Sequence, residues 1–186
     1  MTGFDPTRLP ADLPATRPRS SPGCAIIRRE MADGIEIERK FLVETLPRAL
    51  DWLDERALRQ GYVALDGDTE VRVRDDGGSW RLTIKHGGGR RRVEEDMEVD
   101  ARRGEALWDL TEGRRVEKRR RRIAYGAAMV EVDEYEGDLR GLLVAEVEFD
   151  DEAASEEFAP PDWFGAEVTE DDRYKNRSLA VDGRPG

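Results

Sequence analysis

Residues 35–43, Ile-Glu-Ile-Glu-Arg-Lys-Phe-Leu-Val, decide how the rest of the chain is read. The run is rich in β-branched and aromatic side chains and holds neither Gly nor Pro, so it reads as a strand. Side chains of a strand alternate between its faces. Glu36, Glu38 and Lys40 therefore line one face, while Ile37, Arg39 and Phe41 share the other. Two carboxylates about 6–7 Å apart on one strand face, with a lysine next in line, suit a divalent cation beside an anion. A half-exposed strand with a solvated charged face would give the same triplet. Recurrence of the pattern further along the chain weighs against that plainer explanation.

The bulk properties narrow the classes. A length of 186 residues fits one domain with tails. A net charge of −11 argues against a general nucleic-acid binder. One cysteine, Cys24, and one histidine, His86, cannot build a disulfide framework or a zinc site. No apolar run is long enough to span a membrane as a helix, and a cytoplasmic protein is the default expectation. Residues 1–33 carry Pro6, Pro10, Pro14, Pro18 and Pro22 and no apolar periodicity, so a disordered N-terminal extension is expected there. The folded domain is expected over residues 34–182.

From Ile35 onward, short strands alternate with turn signals. The pattern predicts strands over 35–43, 60–65, 70–74, 80–85, 93–99, 116–124, 129–135 and 142–149. Asp66-Gly67-Asp68, Asp75-Asp76-Gly77-Gly78 and Gly87-Gly88-Gly89 mark breaks between them. A helix entered at Pro47 is predicted from Ala49, Leu50, Leu53, Ala57 and Leu58. Further helices are predicted at 104–110 and 174–181. Eight strands joined mainly by hairpins favour a mainly β (α+β) fold, an eight-stranded antiparallel closed barrel or tunnel with helices packed on the outside. Trp52, Trp80 and Trp108 are expected to cover the outer sheet face.

Nearly every strand carries a charged row on one face. Glu70, Arg72 and Arg74 form one; Arg81, Thr83 and Lys85 another; Glu94, Asp96 and Glu98 a third. Lys118, Arg120 and Arg122, then Glu131, Asp133 and Tyr135, then Glu146 and Glu148 continue the series. A barrel with a polar interior would accommodate these rows, holding a polyanion on its Lys and Arg side chains and hard cations on its carboxylates. Arg favours phosphate by bidentate contact. Carboxylates without His or Cys favour Mg²⁺ or Mn²⁺. Together they point to phosphoryl or nucleotidyl transfer, and the absence of a Walker-type loop excludes a P-loop architecture. Arg119-Arg120-Arg121-Arg122 resembles a nucleic-acid patch, but on a strand only two of the four share a face.

Glu36-x-Glu38-x-Lys40 resembles the signature of the CYTH superfamily, the triphosphate tunnel metalloenzymes, in its short bacterial type. The resemblance continues in order through Gln60-Gly61-Tyr62, Val71-Arg72-Val73-Arg74, Leu82-Thr83-Ile84-Lys85, Glu94-x-Asp96 and Glu117-Lys118-Arg119-Arg120. It ends with Glu131-Val132-Asp133, Ala145-Glu146-Val147-Glu148, Glu167-Val168-Thr169 and Tyr174-Lys175-Asn176. It implies a metal-dependent hydrolase of the terminal phosphate of a triphosphate compound, foremost inorganic triphosphate. Lys40, Arg72, Arg74, Lys85, Lys118 and Arg120 would hold the phosphate oxygens. Glu36, Glu38, Glu146 and Glu148 would serve Mg²⁺ or Mn²⁺, with Asp133, Glu94 and Asp96 as further ligands, and Glu38 and Lys40 would be catalytic. Asp96 and the arginines at 119 and 121 depart from the family pattern. The resemblance also admits a class IV adenylyl cyclase, a thiamine triphosphatase, or a non-catalytic polyphosphate or nucleotide sensor. The partner implied is a small triphosphate-containing substrate, with no nucleic acid or membrane, for a monomer or homodimer.

Overall fold

The computed structural model describes residues 37–87 and 93–186. Eight strands form one antiparallel sheet: β1 (Ile37–Leu42), β2 (Asp54–Asp66), β3 (Thr69–Asp76), β4 (Trp80–His86), β5 (Val93–Val99), β6 (Arg115–Tyr125), β7 (Ala128–Tyr135) and β8 (Leu143–Phe149). Their order across the sheet is β1-β8-β7-β6-β2-β3-β4-β5. Hairpin turns at Gly67, Gly77–Gly78 and Gly126, all at positive φ, connect neighbours and fix the register. Each expected strand is present among the described residues, the first from Ile37, with residues 35 and 36 outside them. The expected helix after Pro47 is not: residues 54–58 belong to β2, where they pair with Arg122–Lys118 of β6. Leu53, counted into the apolar stripe of that helix, is 60% exposed.

The sheet is curved but does not close by hydrogen bonds among the described residues. Its edges are β1 and β5. The reason lies in residues 165–169, which run along the outer edge of β1. Gly165 N donates to Leu42 O (2.7 Å), Leu42 N to Ala166 O (2.9 Å) and Val168 N to Lys40 O (2.8 Å). The Lys40 amide donates to Thr169 Oγ1 (2.9 Å). These bonds occupy the groups that β1 would need for pairing with β5. The β5 edge instead carries exposed Glu94, Glu95, Asp96 and Glu98, charges that oppose strand addition.

Two apolar clusters lie on the convex face. Helix α1 (Ala101–Asp109), capped by Asp100 Oδ1 on the Arg103 amide (2.9 Å), seats Trp108 beside Trp80 and Val73. Helix α2 (Glu152–Glu157) and the segment after it bring Phe158, Trp163 and Phe164 onto Phe41, Val130, Val132, Val147 and Phe149. Trp52 joins the rim of that cluster, as its expected outer-face role requires. Helix α3 (Asn176–Asp182) departs from the expected arrangement. Its Leu179 and Ala180 pack on Tyr62, Val116, Tyr135 and Val144, residues of the concave face. One end of the hollow is thereby filled with an apolar plug, and the polar part remains beside it. Among the described residues no helix is long and apolar enough to cross a membrane.

Candidate triphosphate-binding site

The period of two places the charged rows where alternation requires. From β1 come Glu38 and Lys40, from β3 Glu70, Arg72 and Arg74, from β4 Lys85, from β5 Glu94, from β6 Lys118 and Arg120, and from β8 Glu146 and Glu148. All line one cavity of about 520 Å³, a size suited to a small ligand. Gln60 and Tyr62 of β2 and Lys175, Asn176 and Arg177 around the start of α3 complete the wall. Eight Lys or Arg side chains face five Glu around this space, so the wall favours an anion.

The buried centre is an ion-pair network around Arg120. Its Nε donates to Asp133 Oδ1 (2.6 Å), and Nη2 donates to Asp133 Oδ2 (2.7 Å) and Glu146 Oε2 (2.6 Å). Nη1 reaches Glu131. Lys118 pairs with Asp133, lies 5.3 Å from the Tyr135 ring centre, and has Asn176 Oδ1 at 3.4 Å. Lys40 Nζ is 3.1 Å from Glu146 and 3.7 Å from Glu38. Lys85 sits 3.1 Å from Glu94.

These contacts set protonation. Burial pushes the Lys118 ammonium below the ordinary lysine range, and Asp133 only partly offsets this. Burial opposes the charge on Glu146 as well, but Lys118, Arg120 and Lys40 outweigh it and hold the carboxyl well below the usual range. For Arg74, burial and the like charges of Arg120 and Arg72 all act downward. Burial raises the Tyr62 phenol, which accepts a hydrogen bond from Gln60 Nε2 at 2.8 Å.

Arg72 and Arg74 differ from Lys40, Lys85, Lys118 and Arg120, each of which is paired with a carboxylate. Among the described residues neither has a carboxylate within ion-pair distance. Arg72 Nη2 donates to Thr83 Oγ1 (3.3 Å), and its buried Nε has no partner. Two arginines on the wall of a positive cavity, without carboxylate partners among the described residues, suit the oxygens of an anion.

The candidate metal ligands are distributed less simply. Glu36 lies outside the described residues. Glu38 and Glu148 are cross-strand partners in the β1–β8 register, one step beyond the Lys40–Glu146 pair. Glu146 and Asp133 are engaged by cations, Glu94 by Lys85, and Asp96 by Arg81 (2.6 Å) and Thr83 (2.8 Å). Among the described residues no three His, Cys, Asp or Glu side chains converge on one point. The donor set is nevertheless of the right chemistry for a hard cation: carboxylates only, with Glu38 and Glu148 directly opposed. Like charges directly opposite each other repel, and Lys40, 3.7 Å from Glu38, offsets part of that.

Sequence patterns missed several wall residues. Gln60, Tyr62 and Asn176 are uncharged members of motifs with no role assigned, and Arg177 lies in a helix expected outside. The even parity of β2, which turns Gln60 and Tyr62 inward, was the available signal. His86 is exposed at the end of β4, bonded to Thr69 Oγ1 (2.8 Å), and takes no part in the cavity.

A family model described as the CYTH domain matches residues 34–178. The chain belongs to the CYTH family. A relative of this CYTH protein in Nitrosomonas europaea, named inorganic triphosphatase, is 46% identical over 149 residues, 78% of this chain and 97% of the relative. A second, from Acetivibrio thermocellus and of the same name, is 40% identical over 149 residues, 78% of this chain and 93% of that one. The crystal structure of an inorganic triphosphatase matches the fold with a TM-score of 0.67 at 42% identity, covering 82% of this chain and 97% of that one. The resemblance expected from the ordered motifs is thus confirmed.

Proposed function

We propose that this CYTH protein is a metal-dependent inorganic triphosphatase. The observation that carries this reading is the pair Arg72 and Arg74, cations without carboxylate partners among the described residues, on the wall of a cavity sized for a small polyanion. The names of two relatives at 46% and 40% identity support inorganic triphosphate as the substrate.

In this reading Arg72 and Arg74 bind the phosphate oxygens that Lys85, Lys118 and Arg120 approach from neighbouring strands. CYTH membership carries metal dependence with it, and Glu38 and Glu148, together with Glu36, would hold Mg²⁺ or Mn²⁺. When bound, the ion supplies positive charge against the phosphate oxygens. The chain's own groups do the rest. Charge spreads over the transferred phosphoryl and the leaving pyrophosphate as the bond to the bridging oxygen breaks, and a water oxygen forms the new bond to the terminal phosphorus. Lys40, held between Glu38 and Glu146, donates to an oxygen of the group in transfer. The proton lost by the water passes to a carboxylate of the wall and then to solvent. Glu146 and Asp133 keep Arg120 and Lys118 in place, and so act on the substrate through those cations.

The decisive assay supplies the purified chain with Mg²⁺ or Mn²⁺ and, separately, tripolyphosphate, ATP and thiamine triphosphate. Orthophosphate should be released fastest from tripolyphosphate. Cyclic AMP from ATP, or preferred turnover of thiamine triphosphate, would replace this reading, and binding of tripolyphosphate without turnover would make the protein a sensor.

A further inference from the structure

Thr83 is 1% exposed, and its hydroxyl has polar neighbours on both sides. Arg72 Nη2 lies 3.3 Å away and Asp96 Oδ1 2.8 Å away. A guanidinium cannot accept a hydrogen bond, so Thr83 Oγ1 accepts from Arg72. An ionised carboxylate cannot donate one, so the single proton of Thr83 goes to Asp96. Asp96 is in turn fixed by Arg81 Nη1 at 2.6 Å. The hydroxyl therefore has one satisfied orientation, and the order Arg72 to Thr83 to Asp96, with Arg81 behind, runs across β3, β4 and β5. Asp96 does not line the cavity, whereas Arg72 does. The Arg72 Nε, enclosed and without a partner, is the donor left over once Nη2 is tied down.

We propose that Thr83 and Asp96 are positioning residues for Arg72: they clamp one edge of its guanidinium so that its remaining donors are presented to an oxygen of the anion in the cavity. The clamp deepens the triphosphatase reading and rests on it for the identity of the anion. Asp96 thereby acts on the substrate through two side chains, and its loss is felt in substrate affinity and not in the demand for metal.

The test uses the full chain with tripolyphosphate and saturating Mn²⁺. Thr83→Val keeps the shape and removes the hydroxyl. It should raise KM about tenfold, the scale of one charge-assisted hydrogen bond, with kcat nearly unchanged. Thr83→Ser should restore the wild-type KM. In an Arg72→Ala background Thr83→Val should cost nothing further, because the side chain it positions is gone. Asp96→Asn should raise KM without raising the Mn²⁺ concentration needed for half-maximal rate. Losses that multiply in the double variant, an unchanged KM in Thr83→Val, or an Asp96→Asn enzyme rescued by extra Mn²⁺ would each overturn the proposal. A second readout needs no turnover. The Nε–H resonance of Arg72, identified by its absence in Arg72→Lys, should be sharp in wild type and Thr83→Ser and broadened in Thr83→Val. A wild type that fails to hydrolyse tripolyphosphate but shows that pattern would sink the triphosphatase reading and keep the clamp. Resonances that do not respond to Thr83→Val would remove the clamp whatever the activity.

Discussion

Glu146 is buried against Arg120 at 2.6 Å and Lys40 at 3.1 Å, and its charge is what allows those cations to stay buried. Its carboxyl is held below the usual value of 4.5. A carboxyl with a depressed folded pKa binds fewer protons in the folded state than in the unfolded chain, so its stabilisation is complete above about pH 4.5 and fades as pH falls below that. Glu146→Gln should remove this acid-side loss. It should also lower stability at pH 7 by about 3–5 kcal/mol, because buried cations lose their partner. Thermal melts of both proteins from pH 3 to 7 check both halves; equal melting at pH 7 would show that the network does not depend on Glu146. Arg74 and Arg121 make a sharper contrast. Arg74 is half-buried on the cavity wall, and its loss should weaken tripolyphosphate binding by about 1.5–3 kcal/mol. Arg121 points to the other face, bonded to Glu55 (2.6 Å) and Glu134 (3.2 Å) and 5.6 Å from the Trp52 ring centre. Arg121→Ala should leave KM as it is. Equal losses at the two positions would break the face assignment from which the site is built.

Among the elements, α1 shows packing overruling propensity. Gly104 sits mid-helix, where alanine would be favoured by about 1 kcal/mol. A Cβ there would lie 2.2 Å from the Trp80 ring, which lies buried beneath the helix. Gly104→Ala should therefore lower the melting temperature, with a cost of about 1–3 kcal/mol from overpacking; a stabilised variant would mean that α1 does not rest on β4 as described. The same competition explains what could be read in advance. The inward rows were legible because a strand's period of two leaves Arg72, Arg74, Lys118 and Arg120 no choice of face once one residue is placed. The start of β2 was not legible. Ala49, Leu50, Leu53 and Ala57 mimic a helical stripe, and only pairing with β6, where Asp54 meets Arg122 and Leu58 meets Lys118, makes Asp54–Leu58 a strand. Helix α2 is too short for any periodicity, and the position of α3 depends on the apolar patch of Tyr62, Tyr135 and Val144, which no local window contains.

At the scale of the whole molecule, the hollow is shaped by two closures that leave a third side to charge. Helix α3 fills one end with apolar side chains, and residues 165–169 occupy the edge of β1 that a closed barrel would pair with β5. What remains is a cavity whose cations and carboxylates come from strands far apart in sequence, so the energy of assembling it is shared by the entire sheet. The Glu38–Glu148 pair belongs to that cost. These carboxylates face each other across the β1–β8 ladder, and like charges directly opposite are destabilising. A divalent cation that binds only the folded state should then stabilise the whole fold, by about 2.7 kcal/mol at one hundred times its dissociation constant. Melting temperature should rise with Mg²⁺ or Mn²⁺ in wild type. Glu148→Gln keeps the shape and removes the charge repulsion with Glu38. It should melt no lower than wild type without metal, gain little when metal is added, and lose most of its turnover. A wild type whose melting point ignores both ions, or a Glu148→Gln variant that keeps the wild-type response and rate, would show that these carboxylates hold no metal.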